Sequence, residues 1–300
     1  MFRVVFFGTS AFGVPILRAL AREHEVVLVV TQPDRPAGRG LSMSPSPVGL
    51  AARELGLSID TPEKLDAHVM RRIGDRHANL LACASYGKIL PASLVTNASM
   101  PALNVHPSAL PKYRGATPIQ GAILAGDTST AVTVMWMAAR MDAGDIALQI
   151  GVDIEPGENY GSLHDRLAAI GANALLDALA LHARGSLPRM AQDEDLATYT
   201  RPIAKTDLEL RFTSTSQELA DRVRAFSPKP GAWIPYAGRR LKVLAASPEP
   251  GAVEPPGTLS VAANGEPVVA TVDGRLRLTA VVPEGKRAMS GRDFGRGLRV

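Results

Sequence analysis

Residues 102–126 read ALNVHPSALPKYRGATPIQGAILAG, and the run changes character twice. Its opening, ALNVHP (102–107), is short, apolar and β-branched, which predicts a strand. Prolines at 107, 111 and 118 then punctuate a basic loop, and each fixes φ and removes a backbone donor. TPIQGAILAG (117–126) closes the run as a helix ending at Gly126. Strand, loop and helix in this order form half of a βαβ unit.

The same alternation extends in both directions. RVVFFG (3–8), EVVLVVT (25–31), NLLACASY (79–86) and AVTVMWM (131–137) predict further strands. Helices are predicted over 10–23, 46–56 and 161–185, the first with Phe12, Ile16 and Leu20 on one face. The fold class is therefore α/β, with an N-terminal Rossmann-like, mostly parallel sheet. Residues 186–205 lose the periodicity and read as a connector. Beyond them, short strands with AGRR and DGR turns, and a helix at 215–226, predict a small C-terminal β-barrel of OB-like type. The expected partition is a sheet domain over 1–188, a linker over 189–205 and a barrel domain over 206–300.

Composition excludes several classes. With 46% hydrophobic and 21% charged residues the chain is globular, and it lacks the roughly 20-residue apolar run that spans a bilayer. No membrane partner is expected. The apolar part of MFRVVFFGTS is too short for a secretory leader, so a first strand is expected there. The single cysteine, Cys83, excludes an internal disulfide; it is expected as a buried strand residue in a reducing cytoplasm. Histidines at 24, 68, 77, 106, 164 and 182 are scattered, with no HExxH pair, and no metal is expected. The formal charge is +4 overall, yet from Arg201 onward 16 basic residues face 10 acidic ones. That excess suggests a C-terminal module facing a polyanion.

In an open parallel sheet, ligands bind outside the carboxyl ends of the strands. On this reading the loops 8–13, 31–47, 85–91, 107–117 and 137–145 share one rim. GTSAFG (8–13) lacks the G-x-G-x-x-G spacing, so no nucleotide cofactor is expected. Asn104 and His106, two residues apart on a strand, point the same way. Asp142, in ARMDAGD, is the candidate third member because its loop leaves a neighbouring strand. Such a trio suits acyl transfer: Asn104 donates to a developing oxyanion, His106 moves protons, and Asp142 orients the imidazole.

The segments NVHPSALPKYRGATPIQ, TQPDRPAGRG, ASYGKILP and MDAGD together resemble the methionyl-tRNA formyltransferase family from end to end. The resemblance implies the formyltransferase fold, a cytoplasmic monomer in translation initiation, and initiator methionyl-tRNA as partner. It also implies 10-formyltetrahydrofolate as co-substrate, with no metal. Carried over to this chain, it implies Asn104, His106 and Asp142 as the catalytic group. Ser108, Ala109, Leu110 and Pro111 become the folate-contacting turn, and Tyr86, Gly87 and Ile89 line the pterin pocket. Arg35 and Arg39 meet tRNA, and they are the only cations of the 31–47 loop. Rival readings are a formyltetrahydrofolate hydrolase, a formyltransferase for another amine, and a non-catalytic RNA-binding protein.

Overall fold

The computed structural model describes residues 1–37, 42–97, 100–251 and 254–298. They cluster into two units, each discontinuous in sequence. The first comprises Met1–Pro118, Thr130–Asp153 and His164–Thr200; the second comprises Ile119–Ser129, Ile154–Leu163 and Arg201–Val300. Most of the expected connector therefore belongs to the first unit. Its strand Tyr199–Thr200 pairs in parallel with Arg114–Gly115, and the Arg114 N–H donates to Thr198 O at 2.9 Å.

The first unit is built on a seven-stranded sheet. Its order is Ile146–Asp153, Ser129–Trp136, Ala102–His106, Leu80–Ala84, Arg3–Gly8, Glu25–Val30, Ile59–Asp60. The pairings from Ala102–His106 to Ile59–Asp60 are parallel. Leu80–Ala84 is buried at every residue, as expected of a strand covered on both faces. Helix Gly13–Glu23 buries Ile16, Leu17 and Leu20. Helix Pro47–Glu54 starts where Ser46 accepts the Gly49 N–H and Pro47 takes the first turn, where its missing donor costs nothing. The chain reverses direction across the sheet at Arg3–Gly8, which has Glu25–Val30 on one side and Leu80–Ala84 on the other. At this switch point the loops beginning at Thr9 and Ser85 are joined, the Thr9 N–H donating to Ser85 O at 3.1 Å and Ser10 Oγ to Ser85 Oγ at 2.7 Å.

One strand departs from expectation. Ser129–Trp136 runs antiparallel to Ala102–His106, with Thr133 opposite His106 and Trp136 opposite Leu103. The intervening helix, Pro118–Leu124, has only seven residues. It rises about 10 Å, less than the roughly 17 Å of strand it would have to retrace for a parallel return. The 137–145 segment consequently starts at the amino end of Ala102–His106, where the Met137 N–H donates to Ala102 O at 2.8 Å. The segment therefore does not leave from the carboxyl rim.

The second unit carries an antiparallel sheet ordered Ala232–Tyr236, Arg239–Pro250, Gly274–Pro283, Pro267–Ala270, Leu259–Val261, with Met289–Ser290 added to Gly274–Pro283. The first hairpin turns at Ala237 and Gly238, both with positive φ, the backbone of the two-residue turn that matches strand twist. Helix Ser216–Phe226 opens with a reciprocal capping box between Thr215 and Glu218. LELRF (208–212) contributes a bridge between Glu209 and Trp233. Arg224 donates to Glu158 O and Ile123 O, which ties those earlier segments to this unit. No helix among the described residues is long and apolar enough to cross a membrane.

Candidate active site

Strand Ala102–His106 is buried throughout. Two of its side chains are polar: Asn104 is 9% exposed and His106 5%. Both lie on one face, as their spacing requires. Cys83 stands beside Asn104 in register. Its burial, with the Asp142 carboxylate as the next cause, pushes its thiol up to about 12, so it is a packed residue and not a nucleophile.

His106 Nε2 lies 3.1 Å from Tyr113 O. A carbonyl can only accept, so Nε2 carries a proton, and Nδ1 is the ring nitrogen left to face Asp142. That nitrogen lies 3.8 Å from Asp142 Oδ1, beyond hydrogen-bond range. The ring is thus oriented by Tyr113 O, where sequence reasoning gave that task to Asp142. What Asp142 supplies is a negative charge facing the nitrogen that would take up a proton.

Asp142 is held independently of the histidine. Its Oδ2 accepts the Gly115 N–H at 2.8 Å. Its φ of 51° is left-handed, a conformation that disfavours most side chains. Gly144, two residues on, is required by close approach: a Cβ there would stand 1.8 Å from Trp136 O. The segment that leaves the strand at Met137 is thereby folded back toward His106.

Behind Asp142 lies a network that sequence reasoning missed. Arg114 is fully buried. It donates through Nε and Nη2 to Gln192 Oε1, through Nη1 and Nη2 to the two oxygens of Glu194, and through Nη1 to Tyr199 Oη. Hydrogen bonds from Arg114, then from Arg140, hold the Glu194 carboxyl down at about 2. A carboxyl depressed in the folded state stabilises at pH values above its unfolded value, roughly 4.3. That contribution is lost as the pH falls through about 2. Glu194→Gln is therefore expected to lower the melting temperature at pH 7 and to converge on wild type as the acid range is crossed. Thermal melts at both ends of that range check it.

The turn after His106 is tied to the sheet. Ser108 Oγ donates to Lys112 O at 2.7 Å, and Thr133 Oγ1 donates to Ser108 O at 2.7 Å. Gln149 Nε2 reaches both Leu110 O and Thr133 Oγ1. Ser108 and Leu110 are buried, while Ala109 and Pro111 are half-exposed and form the turn's outer surface. Tyr86 puts its ring in the apolar core, edge-on to Phe7. Its carbonyl accepts from Thr9 Oγ1 and Gln32 Nε2, each at 2.8 Å. Gly87, with positive φ, and Ile89, 80% exposed, are the surface members of that segment. Exposed Arg35 donates to Gln32 Oε1 at 2.9 Å; Arg39 lies outside the described residues.

Comparison with known proteins places the chain in a family. Residues 2–179 match the formyl transferase family model, and residues 202–299 match that of the formyl transferase C-terminal domain. The methionyl-tRNA formyltransferase of Xanthomonas euvesicatoria is 42% identical, with 97% of this chain and 96% of the relative covered. The chain belongs to the methionyl-tRNA formyltransferase family. The Bacillus pumilus member is 40% identical over 100% of this chain and 96% of its own length. Among solved structures, the methionyl-tRNA formyltransferase from Clostridium thermocellum superposes with a TM-score of 0.59 at 16% identity, covering 83% of this chain and 94% of that one. HypX from Aquifex aeolicus, in complex with tetrahydrofolic acid, gives 0.66 at 17% identity, covering 98% of this chain and 46% of that one. These structural likenesses establish the shared fold.

Proposed function

We propose that this protein transfers the formyl group of 10-formyltetrahydrofolate to the α-amine of initiator methionyl-tRNA. The observation that carries the chemistry is His106 Nδ1 at 3.8 Å from the Asp142 carboxylate, with Asn104 on the same strand face. The family supports the acceptor, and a fold relative solved with tetrahydrofolic acid supports a folate donor.

The neutral amine attacks the formyl carbon, making a C–N bond and pushing electrons onto the formyl oxygen. A free α-amine has a pKa of about 7.7–8, so little free energy is spent deprotonating it. Asn104 donates to the oxyanion of the tetrahedral intermediate. The proton shed by the amine goes to His106 Nδ1, and the resulting imidazolium is stabilised by Asp142. Collapse of the intermediate breaks the bond to N10, which leaves with a proton returned from His106. Ala109, Pro111, Gly87 and Ile89 offer the surfaces for the folate. Arg35 serves the tRNA acceptor end. Exposed Arg239, Arg240 and Lys242, on one strand of the second unit, offer charge to its phosphates.

Wild-type protein given 10-formyltetrahydrofolate and methionine-charged initiator tRNA is expected to form formylmethionyl-tRNA, with negligible formate released when tRNA is omitted. Acceptor-independent formate release would make it a hydrolase. Formylation of another amine in place of the tRNA would keep the chemistry and remove the acceptor.

A further inference from the structure

We infer that Gln192 is a positioning residue for formyl transfer, acting through Asp142. The inference rests on the reading above that Asp142 is catalytic. Gln192 Nε2 donates to Asp142 O at 2.9 Å and to Gly144 O at 2.7 Å, which uses both amide hydrogens. Its Oε1 accepts from Arg114 Nε at 3.0 Å and Nη2 at 2.8 Å. Because guanidinium only donates and carbonyl only accepts, the amide has one workable orientation. Every polar atom of this side chain is therefore committed to the backbone on either side of Ala143 or to the group that holds it.

Arg114 and Gly115 act on the same aspartate from two directions. The Gly115 N–H holds its carboxylate, and the Arg114 side chain holds the glutamine that holds its carbonyl. Glu194 and Tyr199 fix the guanidinium in turn. The left-handed backbone at Asp142 needs such over-determination to persist. Gln192 touches no reacting atom in this arrangement. It sets where the Asp142 carboxylate stands relative to His106, and a misplacement near 1 Å costs on the order of 10²-fold in rate.

The test is a double-mutant cycle with Asp142→Asn. Gln192→Glu is nearly isosteric and keeps an acceptor for Arg114, but turns a second oxygen toward two carbonyls; Gln192→Leu removes the clamp outright. Each is expected to lower kcat on the order of 10²-fold, with KM for methionyl-tRNA changed less than about twofold. In the Asp142→Asn background the same substitutions should cost less than about threefold, because coupled residues are not additive. An equal loss in both backgrounds, a rise in KM alone, or an unchanged kcat would overturn the positioning role. If Gln192→Leu fails to fold, Gln192→Glu decides the question. An Asp142→Asn protein with wild-type kcat would instead overturn the catalytic reading of Asp142, and the inference with it.

Discussion

Replacing His106 by alanine is expected to slow single-turnover formyl transfer by about 10³-fold, the range of a positioned proton-transfer group. Thermal unfolding should move by no more than a few degrees. Among the described residues the His106 side chain makes one hydrogen bond, to Tyr113 O. Losing one such bond costs about 1 kcal/mol, a small melting shift for a chain of this size. The catalytic loss follows from geometry. With Nε2 committed to a carbonyl, Nδ1 is the nitrogen that the proposed mechanism uses to receive a proton, with the Asp142 carboxylate 3.8 Å away to stabilise it there. A single-turnover assay beside a thermal melt separates the two effects.

Asn104 supplies the second large effect, and two substitutions there separate its possible roles. Asn104→Ala removes a donor to the oxyanion and should cost about 10²–10³-fold in kcat. Asn104→Asp preserves the shape but replaces the amide donor with an anion. That anion would sit between Cys83 and Met135 in register, with little water to screen it, and would face developing negative charge. The aspartate variant is therefore expected to be slower than the alanine variant. If Asn104 served only packing, the near-isosteric aspartate would be the milder change. Single-turnover rates of both variants at one pH settle the order.

How much of this was legible in the sequence depends on what kind of signal each part leaves. The spacing of Asn104 and His106 on a short apolar run placed both on one face, and the structure agrees. The parallel core was readable because strands buried on both faces are continuous apolar runs, as at Leu80–Ala84. Ile146–Asp153 was missed: it lies at the end of the sheet, and Gln149, Ile150 and Gly151 are exposed in succession, which breaks any alternation. The direction of Ser129–Trp136 was misjudged because apolar periodicity carries no information about strand polarity. Asp142 was found by a rim argument that the antiparallel strand removes; it reaches His106 because Gly144 and Gln192 fold its segment back. Residues 189–200 read as a linker because their content is a polar network, not an apolar stripe. The available signal was Arg114 itself: a guanidinium buried in a Pro-rich loop needs acceptors, and QDED at 192–195 is a downstream run of four consecutive ones.

The central claim is that Asn104, His106 and Asp142 act as one catalytic unit, and its most direct test is additivity. Single-turnover rates of formyl transfer to methionyl-tRNA would be measured for Asn104→Ala, His106→Ala, Asp142→Asn and the triple variant, each verified as folded by its thermal melt. Residues acting as a unit are grossly non-additive. The account predicts that the triple variant is slowed by little more than its slowest single component. Losses that multiply through to the triple variant would mean three independent contributions, and would contradict it.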